Sequence, residues 1–202
     1  MKILVIGATG TIGESVRRAL EGKHEVLQAS HSRSALRVDL ADPDSIRNLY
    51  AKTGRLDAVV SVAGQAAFRP LIALSDADFD LSLKNKLMGQ VNVVRLGIDS
   101  LADKGSFTLT SGNWSRYPVP GSAAVSLVNS GIEGFVRAAA LELPRGLRIN
   151  GVAPALLRET LIALKMDPSS GPPAAQVAQV YARAVEGNMT GQILDVVAAA
   201  AA

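Results

Sequence analysis

The sequence predicts an α/β fold, a single domain built on a doubly wound parallel sheet of about seven strands with helices on both faces. Short apolar, β-branched runs alternate with longer amphipathic stretches along the whole chain, the pattern of a sheet wrapped by crossover helices. The first such run, Lys2–Ile6, leads directly into the glycine-rich turn GATGTIG. A chain of 202 residues with 48% hydrophobic content suffices for one sizeable core and leaves no room for a second domain.

The expected strands are Lys2–Ile6, His24–Ala29, Leu56–Val62, Ser106–Thr110, Leu147–Val152 and Gln192–Val197, with a weaker one at Leu36–Val38. Asp42, followed by Pro43 at the first helical position, opens a helix through Lys52. Ser75 with Asp78 forms an acidic capping pattern before a long helix that runs to about Leu101 and is bent near Gly89. Ser122–Leu143 reads as another long helix stopped by Pro144, and its small residues, among them Ser130, Gly131 and Gly134, permit close approach of a neighbour. DPSSGPP at Asp167–Pro173 reads as a flexible loop or lid. The domain is expected to span 1–197. The alanine run 198–202 carries no positional information and is set apart from the fold.

Composition excludes several chemistries. Without cysteine there is no disulfide, no thiolate nucleophile, no cysteine-ligated zinc and no iron–sulfur cluster. With His24 and His31 as the two histidines, neither an HExxH helix nor a three-histidine metal centre can be assembled, so no metal site is expected. No GxSxG elbow occurs, which argues against a serine hydrolase. The formal charge of +3 is spread without a basic block, which argues against nucleic acid as a partner. No segment reaches the roughly 18 apolar residues of a membrane span and no signal-peptide core is visible, so a cytoplasmic location is the expectation.

The turn after the first strand has the layout of a dinucleotide fingerprint. Gly7 lets the chain turn tightly, Gly10 lets backbone N–H groups approach a pyrophosphate, and Gly13 lets the helix pack closely on the sheet. Thr9, Thr11 and Ile12 complete this cradle, and a Rossmann fold follows. An NAD site places Asp or Glu about 20 residues further on, at the end of the second strand. Here that place reads Ala-Ser-His-Ser-Arg-Ser from Ala29, with no carboxylate. His31, Ser32 and Arg33 are suited to a 2′-phosphate, so NADP(H) is expected over NAD(H). Asp39 and Leu40 close the next strand, where a carboxylate and a backbone amide can read an adenine edge.

Together with SVAG at Ser61–Gly64, LTSG ending in Ser111 and Gly112, EGFVRAAALELPRGLRINGVAP and the closing MTGQILDV, these residues make the chain resemble the short-chain dehydrogenase/reductase family over nearly its whole length. The chain looks most like a compact branch with a reduced substrate-loop region. The resemblance implies that Ala63, Gly64, Pro154 and, in a less certain register, Thr160 border the cofactor. It also implies a catalytic tyrosine four residues before a lysine, yet no YxxxK occurs. Aligned through IEGF, the tyrosine's place falls on Val125 and the lysine's on Asn129, while the family asparagine's place falls on Lys86. Lysine and asparagine have exchanged places. The expected catalytic set is therefore Ser111, Lys86 and Asn129, unless Lys86 is simply a surface lysine and Ser111 a turn cap. Tyr117 is read as a loop residue packing with Trp114.

Two functions fit the resemblance. One is an NADP-dependent oxidoreductase moving hydride between nicotinamide and a small carbonyl or alcohol. The other is a catalytically degenerate NADP(H)-binding sensor or regulator; a scaffold without cofactor is a third, weaker idea. The helices Leu83–Leu101 and Ser122–Leu143 resemble the family's oligomerising pair, so a homodimer or homotetramer is expected.

Overall fold

The computed structural model describes residues 1–197, and the alanine run 198–202 lies outside the described residues. Seven strands form one sheet in the order β3-β2-β1-β4-β5-β6-β7, every neighbouring pair parallel. They are β1 Lys2–Ile6, β2 Glu25–Ser30, β3 Leu36–Arg37, β4 Leu56–Ser61, β5 Leu101–Thr110, β6 Arg148–Pro154 and β7 Ile193–Val196. The expected doubly wound single domain is the fold observed. Strand order reverses direction between β1 and β4, the place where open α/β sheets leave a crevice at the carboxyl ends of their strands.

Alternation along the strands divides the core in two. Leu4 and Ile6 of β1, with Val59, Phe107 and Leu109, face the helices α2 (Pro43–Thr53), α4 (Gly89–Arg95) and α5 (Ala123–Glu142). Ile3 and Val5, with Ala58 and Val60, face α1 (Thr11–Glu21) and α7 (Ala174–Glu186). Both faces of the sheet are covered, so the strands read as near-continuous apolar runs. Two shorter helices, α3 (Asp76–Leu81) and α6 (Arg158–Ala163), lie toward the functional end of the sheet.

The caps at Asp42 and Ser75 form as expected. Asp42 accepts the Asp44 N–H, and Ser75 with Asp78 makes a reciprocal capping box. The bend near Gly89 has a definite form, because residues Ser82–Met88 are wound as a π-helix between α3 and α4. The helix ends at Arg95 instead of near Leu101: the Tyr50 hydroxyl donates to the Val93 carbonyl at 2.6 Å, and the Gly97 N–H turns to the Val94 carbonyl at 3.0 Å. The chain then re-enters the sheet at Leu101, five residues before the expected start, through an irregular register against β4. Strand β2 runs one residue later than expected.

The segment Asp167–Pro173 is not the loose loop its composition suggests. Asp167 accepts the Ser169 N–H at 2.9 Å, the Arg158 N–H reaches the Pro172 carbonyl at 2.9 Å, and Gly171 is pressed against the Leu156 carbonyl. These backbone bonds hold the segment against α6 and the end of β6.

Helix α7 is tied to the sheet by polar side chains at its C-terminus and at mid-helix. The Arg148 guanidinium donates to the Ala184, Val185 and Met189 carbonyls, the groups that a helix C-terminus leaves without partners. The fully buried Tyr181 hydroxyl sits 2.6 Å from Thr110 Oγ1, whose own proton goes to the Ser61 carbonyl at 2.6 Å. Tyr181→Phe leaves that Thr110 oxygen without its donor. The expected outcome is a loss of about 1 kcal/mol, read as a lower urea midpoint with an unchanged slope.

Candidate functional site

The carboxyl ends of β1, β4, β5 and β6 carry three adjoining clefts. The first, about 420 Å³, lies over Gly7, between Ser30, His31, Asp39, Leu40 and Gly64. The second, about 440 Å³, opens at Thr9, Gly10 and Thr11, beside Arg18 and Arg33. The third, about 680 Å³, is lined by Lys86, Ser111, Asn129 and Pro154 among mostly apolar neighbours. Gly64 borders both the first and the third, so they are parts of one groove.

The glycine turn fits a bound pyrophosphate. Gly7 has φ +88°, and a Cβ there would meet Ala63 and Val62 at 3.0 Å. At Gly13 a Cβ would lie 2.0 Å from the Gly7 carbonyl, so α1 can approach the turn only without a side chain. Gly10 differs: a Cβ there meets only the Gly7 carbonyl, at 3.5 Å. The space over Gly10 is open, at the N-terminus of an eleven-residue helix with free N–H groups.

The residues expected to read the 2′-phosphate separate into two clefts. His31 lines the first, beside Asp39, while Arg33 lines the second and donates from Nη2 to the Thr9 carbonyl at 2.8 Å. Ser32 is exposed, and it is Ser30 that shapes the loop, its hydroxyl accepting the Arg33 N–H at 2.9 Å. Asp39 accepts the Ala41 N–H at 2.9 Å. Leu40 supports Gly89, where a Cβ would lie 2.8 Å from the Leu40 side chain. Thr160 lies within α6 and lines none of the three clefts, whereas Pro154 borders the third.

Lys86 is not a surface lysine. It lies on the π-helical turn, which two glycines allow to press inward: Gly89 against Leu40, and Gly64, where a Cβ would meet Lys86 at 3.2 Å. The ammonium points at the end of β5, with the Thr110 carbonyl at 3.3 Å and the Ser111 carbonyl at 3.4 Å. Among the described residues it pairs with no carboxylate. Burial lowers its pKa from 10.5 to about 8. Asn129 comes from α5, with Nδ2 at 3.4 Å from the Gly112 carbonyl, and its buried Oδ1 has no partner among the described residues. A buried amide oxygen left in this way is costly unless a donor arrives from a ligand.

Glu133, one further turn along α5 and facing the same end of the sheet, carried no weight in the sequence reading. Its buried carboxylate accepts from Ser111 Oγ at 3.0 Å and Ser115 Oγ at 2.6 Å, and is flanked by the Arg116 and Arg137 guanidinium groups. Arg116 also clamps Asp195 of β7. The Ser111 proton is thus held by Glu133 rather than directed into the pocket. The spacing Val125-Asn129-Glu133 on one helical face was the available signal. Trp114 does not pack with Tyr117; it stacks on Phe68 with ring centroids 5.0 Å apart, and Tyr117 is exposed. Tyr50 and Tyr181 are buried away from the clefts, so no tyrosine hydroxyl lines the groove.

A parallel α/β sheet with a glycine cradle at its switch point has the layout of a dinucleotide-binding Rossmann fold. The family described as enoyl-(acyl carrier protein) reductase matches residues 10–202, and the chain belongs to this branch of the short-chain dehydrogenase/reductase family of NAD(P)-dependent oxidoreductases. It is similar to hydroxynaphthalene reductase arp2 of Aspergillus fumigatus, 30% identical over 71% of this chain and 54% of that protein. It is also similar to the 3-oxoacyl-[acyl-carrier-protein] reductase FabG of Rickettsia conorii, 26% identical over 78% of this chain and 73% of that one. The chain thus spans little more than half of the Aspergillus reductase. Among solved structures, the protein lin1944 from Listeria innocua is 42% identical with a TM-score of 0.94, covering 97% of this chain and 99% of that one. A small-chain dehydrogenase in complex with NADPH is 25% identical with a TM-score of 0.86, covering 97% and 96%. Among the described residues no helix is long and apolar enough to cross a membrane, and no group of three potential metal ligands occurs.

The two glycines of the turn predict opposite phenotypes. Gly13→Ala forces the Gly7 carbonyl away and is expected to lower the thermal midpoint by several degrees. Gly10→Ala is expected to melt like the parent while losing affinity for dinucleotide, measured by calorimetry.

Proposed function

We propose that the protein is an NADP(H)-dependent oxidoreductase acting on a carbonyl or the corresponding alcohol, with Lys86 taking the proton role that tyrosine fills in the family pattern. The observation that carries this reading is the Lys86 ammonium, turned inward into an apolar pocket and joined at Gly64 to the dinucleotide cleft. In this reading Gly10, Thr11 and Ile12 hold the pyrophosphate, His31 with Ser32 and Arg33 the 2′-phosphate, and Asp39 with Leu40 the adenine. Ala63, Gly64 and Pro154 border the nicotinamide half; Thr160, which lines none of the clefts, is given no contact with it. When bound, the nicotinamide supplies or accepts the hydride.

In the direction of reduction, Lys86 donates a hydrogen bond to the carbonyl oxygen and gives it a proton as the carbon becomes an alcohol carbon. Lys86 is left as a neutral amine that recovers its proton from water. A donor with a pKa of about 8 is matched to this task near neutral pH, where one of 10.5 would hold its proton too firmly. Asn129 Oδ1 accepts a hydroxyl proton from the ligand, and Ser111 joins when its hydroxyl rotates from Glu133 to the substrate. Val125, where the family pattern has tyrosine, favours the second reading, in which the pocket senses the NADPH/NADP ratio without turnover. We also propose a homodimer or homotetramer built on α5, whose outer face exposes Leu127 and Leu141 around the open Gly134.

Titration with NADPH and NADH, followed by NADPH oxidation against a carbonyl panel, separates these readings. The enzyme reading expects tighter NADPH binding, substrate-dependent oxidation, and loss of about 10²-fold to 10⁴-fold in kcat for Lys86→Met. Tight binding without oxidation selects the sensor. The pH dependence is fixed in sign. As a donor, Lys86 must be protonated, so kcat/KM for reduction is expected to fall above pH 8 and that for alcohol oxidation to rise toward a plateau there. Stability follows the same group. Below pH 8 both folded and unfolded chains hold the proton; between pH 8 and 10.5 only the unfolded chain does, so folding stability rises with pH in that window. Lys86→Met is expected to flatten this rise in urea titrations at pH 7.5 and 10.

A further inference from the structure

We infer that the substrate is a flat, uncharged, ring-bearing ketone that lies against a prebuilt aromatic wall, rather than an acyl thioester or a charged oxo acid. The inference deepens the reading above, since it rests on a carbonyl being received beside Lys86.

The large pocket is walled by Phe68 and Trp114, stacked at 30° between ring planes, and its outer rim is formed by Val119, Leu164 and Met166. Phe68, Val119, Leu164 and Met166 are all substantially exposed, although each is a large apolar side chain. Exposed apolar side chains gathered around one concavity mark a binding surface, whereas scattered ones do not. Lys86 is the only ionisable residue among those lining the pocket, and Lys165, between Leu164 and Met166 in the chain, does not line it. With Lys86 engaged on the reacting oxygen, a second charge on the substrate would be desolvated without a partner.

The backbone that carries the wall is also pinned. The Trp114 carbonyl accepts from Ser126 Oγ at 2.6 Å, which fixes the ring-bearing turn to α5. On either side of Phe68, the Ala67 N–H reaches Ser82 Oγ at 2.9 Å and the Arg69 N–H reaches the Gly121 carbonyl at 3.0 Å. Gly121, at φ +90°, leaves room for the Phe68 ring, which a Cβ would approach to 3.3 Å. On the far rim, the backbone bonds that pin Asp167–Pro173 hold the α6 end in place. A wall that needs no ordering on binding favours a rigid planar ligand over a flexible chain. Ring faces presented to a pocket attract another ring in offset stacking.

The test compares β-tetralone with acetoacetate and with an acetoacetyl-pantetheine thioester, both as substrates with NADPH and as ligands by calorimetry with NADP⁺ present. The expected result is a kcat/KM for β-tetralone at least tenfold above either alternative. Binding of β-tetralone is expected to weaken about tenfold in Trp114→Ala and to recover in Trp114→Phe. Faster reduction of acetoacetate or of the thioester overturns the inference and leaves the oxidoreductase reading intact. Binding of β-tetralone that depends on Trp114, without NADPH oxidation by any of the three, upholds the aromatic wall and overturns the oxidoreductase reading. Absence of β-tetralone binding, or binding indifferent to Trp114→Ala, overturns the inference whatever the turnover.

Discussion

The floor of the large pocket is tied to one residue, Thr110, the last position of strand β5, next to the middle strand of the sheet. Its backbone N–H and carbonyl are both taken by the buried Gln90 side chain, at 2.8 and 2.7 Å, so α4 is bonded to the strand end as a neighbouring strand would be. The same carbonyl receives the Lys86 ammonium, and the hydroxyl links β4 through Ser61 to α7 through Tyr181. Four elements therefore converge on one residue, in an interior where each lost bond leaves a buried polar group unpaired. The position of Lys86 follows from this junction. Its π-helical turn is anchored by Gln90 just beyond it and pressed inward by the contacts at Gly64 and Gly89.

The second constraint is electrostatic. Glu133 and Lys86 both contact Ser111, one through the hydroxyl and the other through the carbonyl, yet they form no ion pair. Glu133 is instead surrounded by Arg116 and Arg137, and Arg116 carries the charge balance on to Asp195. Were Glu133 paired with Lys86, the carboxylate would hold the proton on the amine and oppose the lowering that burial produces. By supplying the carboxylate with its own cations, the fold leaves Lys86 half-buried and without a carboxylate partner, so that the lowering of its pKa by burial is not opposed.

The fold was legible in the sequence because it is written in short-range signals. The alternation in β1, the Asp42-Pro43 and Ser75-Asp78 caps and the glycine turn each act over a few residues, and each reappears in the structure. Lys86 was singled out through an aligned motif alone; its inward position rests on the close approaches at Gly64 and at Gly89, the latter against Leu40, between residues distant in sequence. What was hidden is long-range. The early entry of β5 at Leu101 comes from its pairing with Leu56 of β4, across a register shift that no local signal announces. The order of Asp167–Pro173 comes from Arg158 and Leu156, although its composition of proline, serine and glycine is that of a loop. Glu133 was missed because an acidic residue on a helix reads as solvated until its four partners are known. The Phe68 and Trp114 pair joins two loops that no periodicity connects.

Asn129 closes the argument about the exchanged residues. In the lysine's place an amide brings no charge, so it neither raises nor lowers the proton affinity of Lys86 by Coulomb interaction. Its Nδ2 is directed to Gly112 and its Oδ1 remains a buried acceptor without a donor. An ammonium at this position would repel Lys86 across the pocket and would itself need a partner. An amide offers a single acceptor, which a ligand hydroxyl satisfies at no cost in charge. In the proposed reading the pair divides labour by chemistry: one group that donates and can lose a proton, and one that accepts and cannot. That division requires Lys86 to remain the only titratable group in the pocket, as it is among the residues lining it.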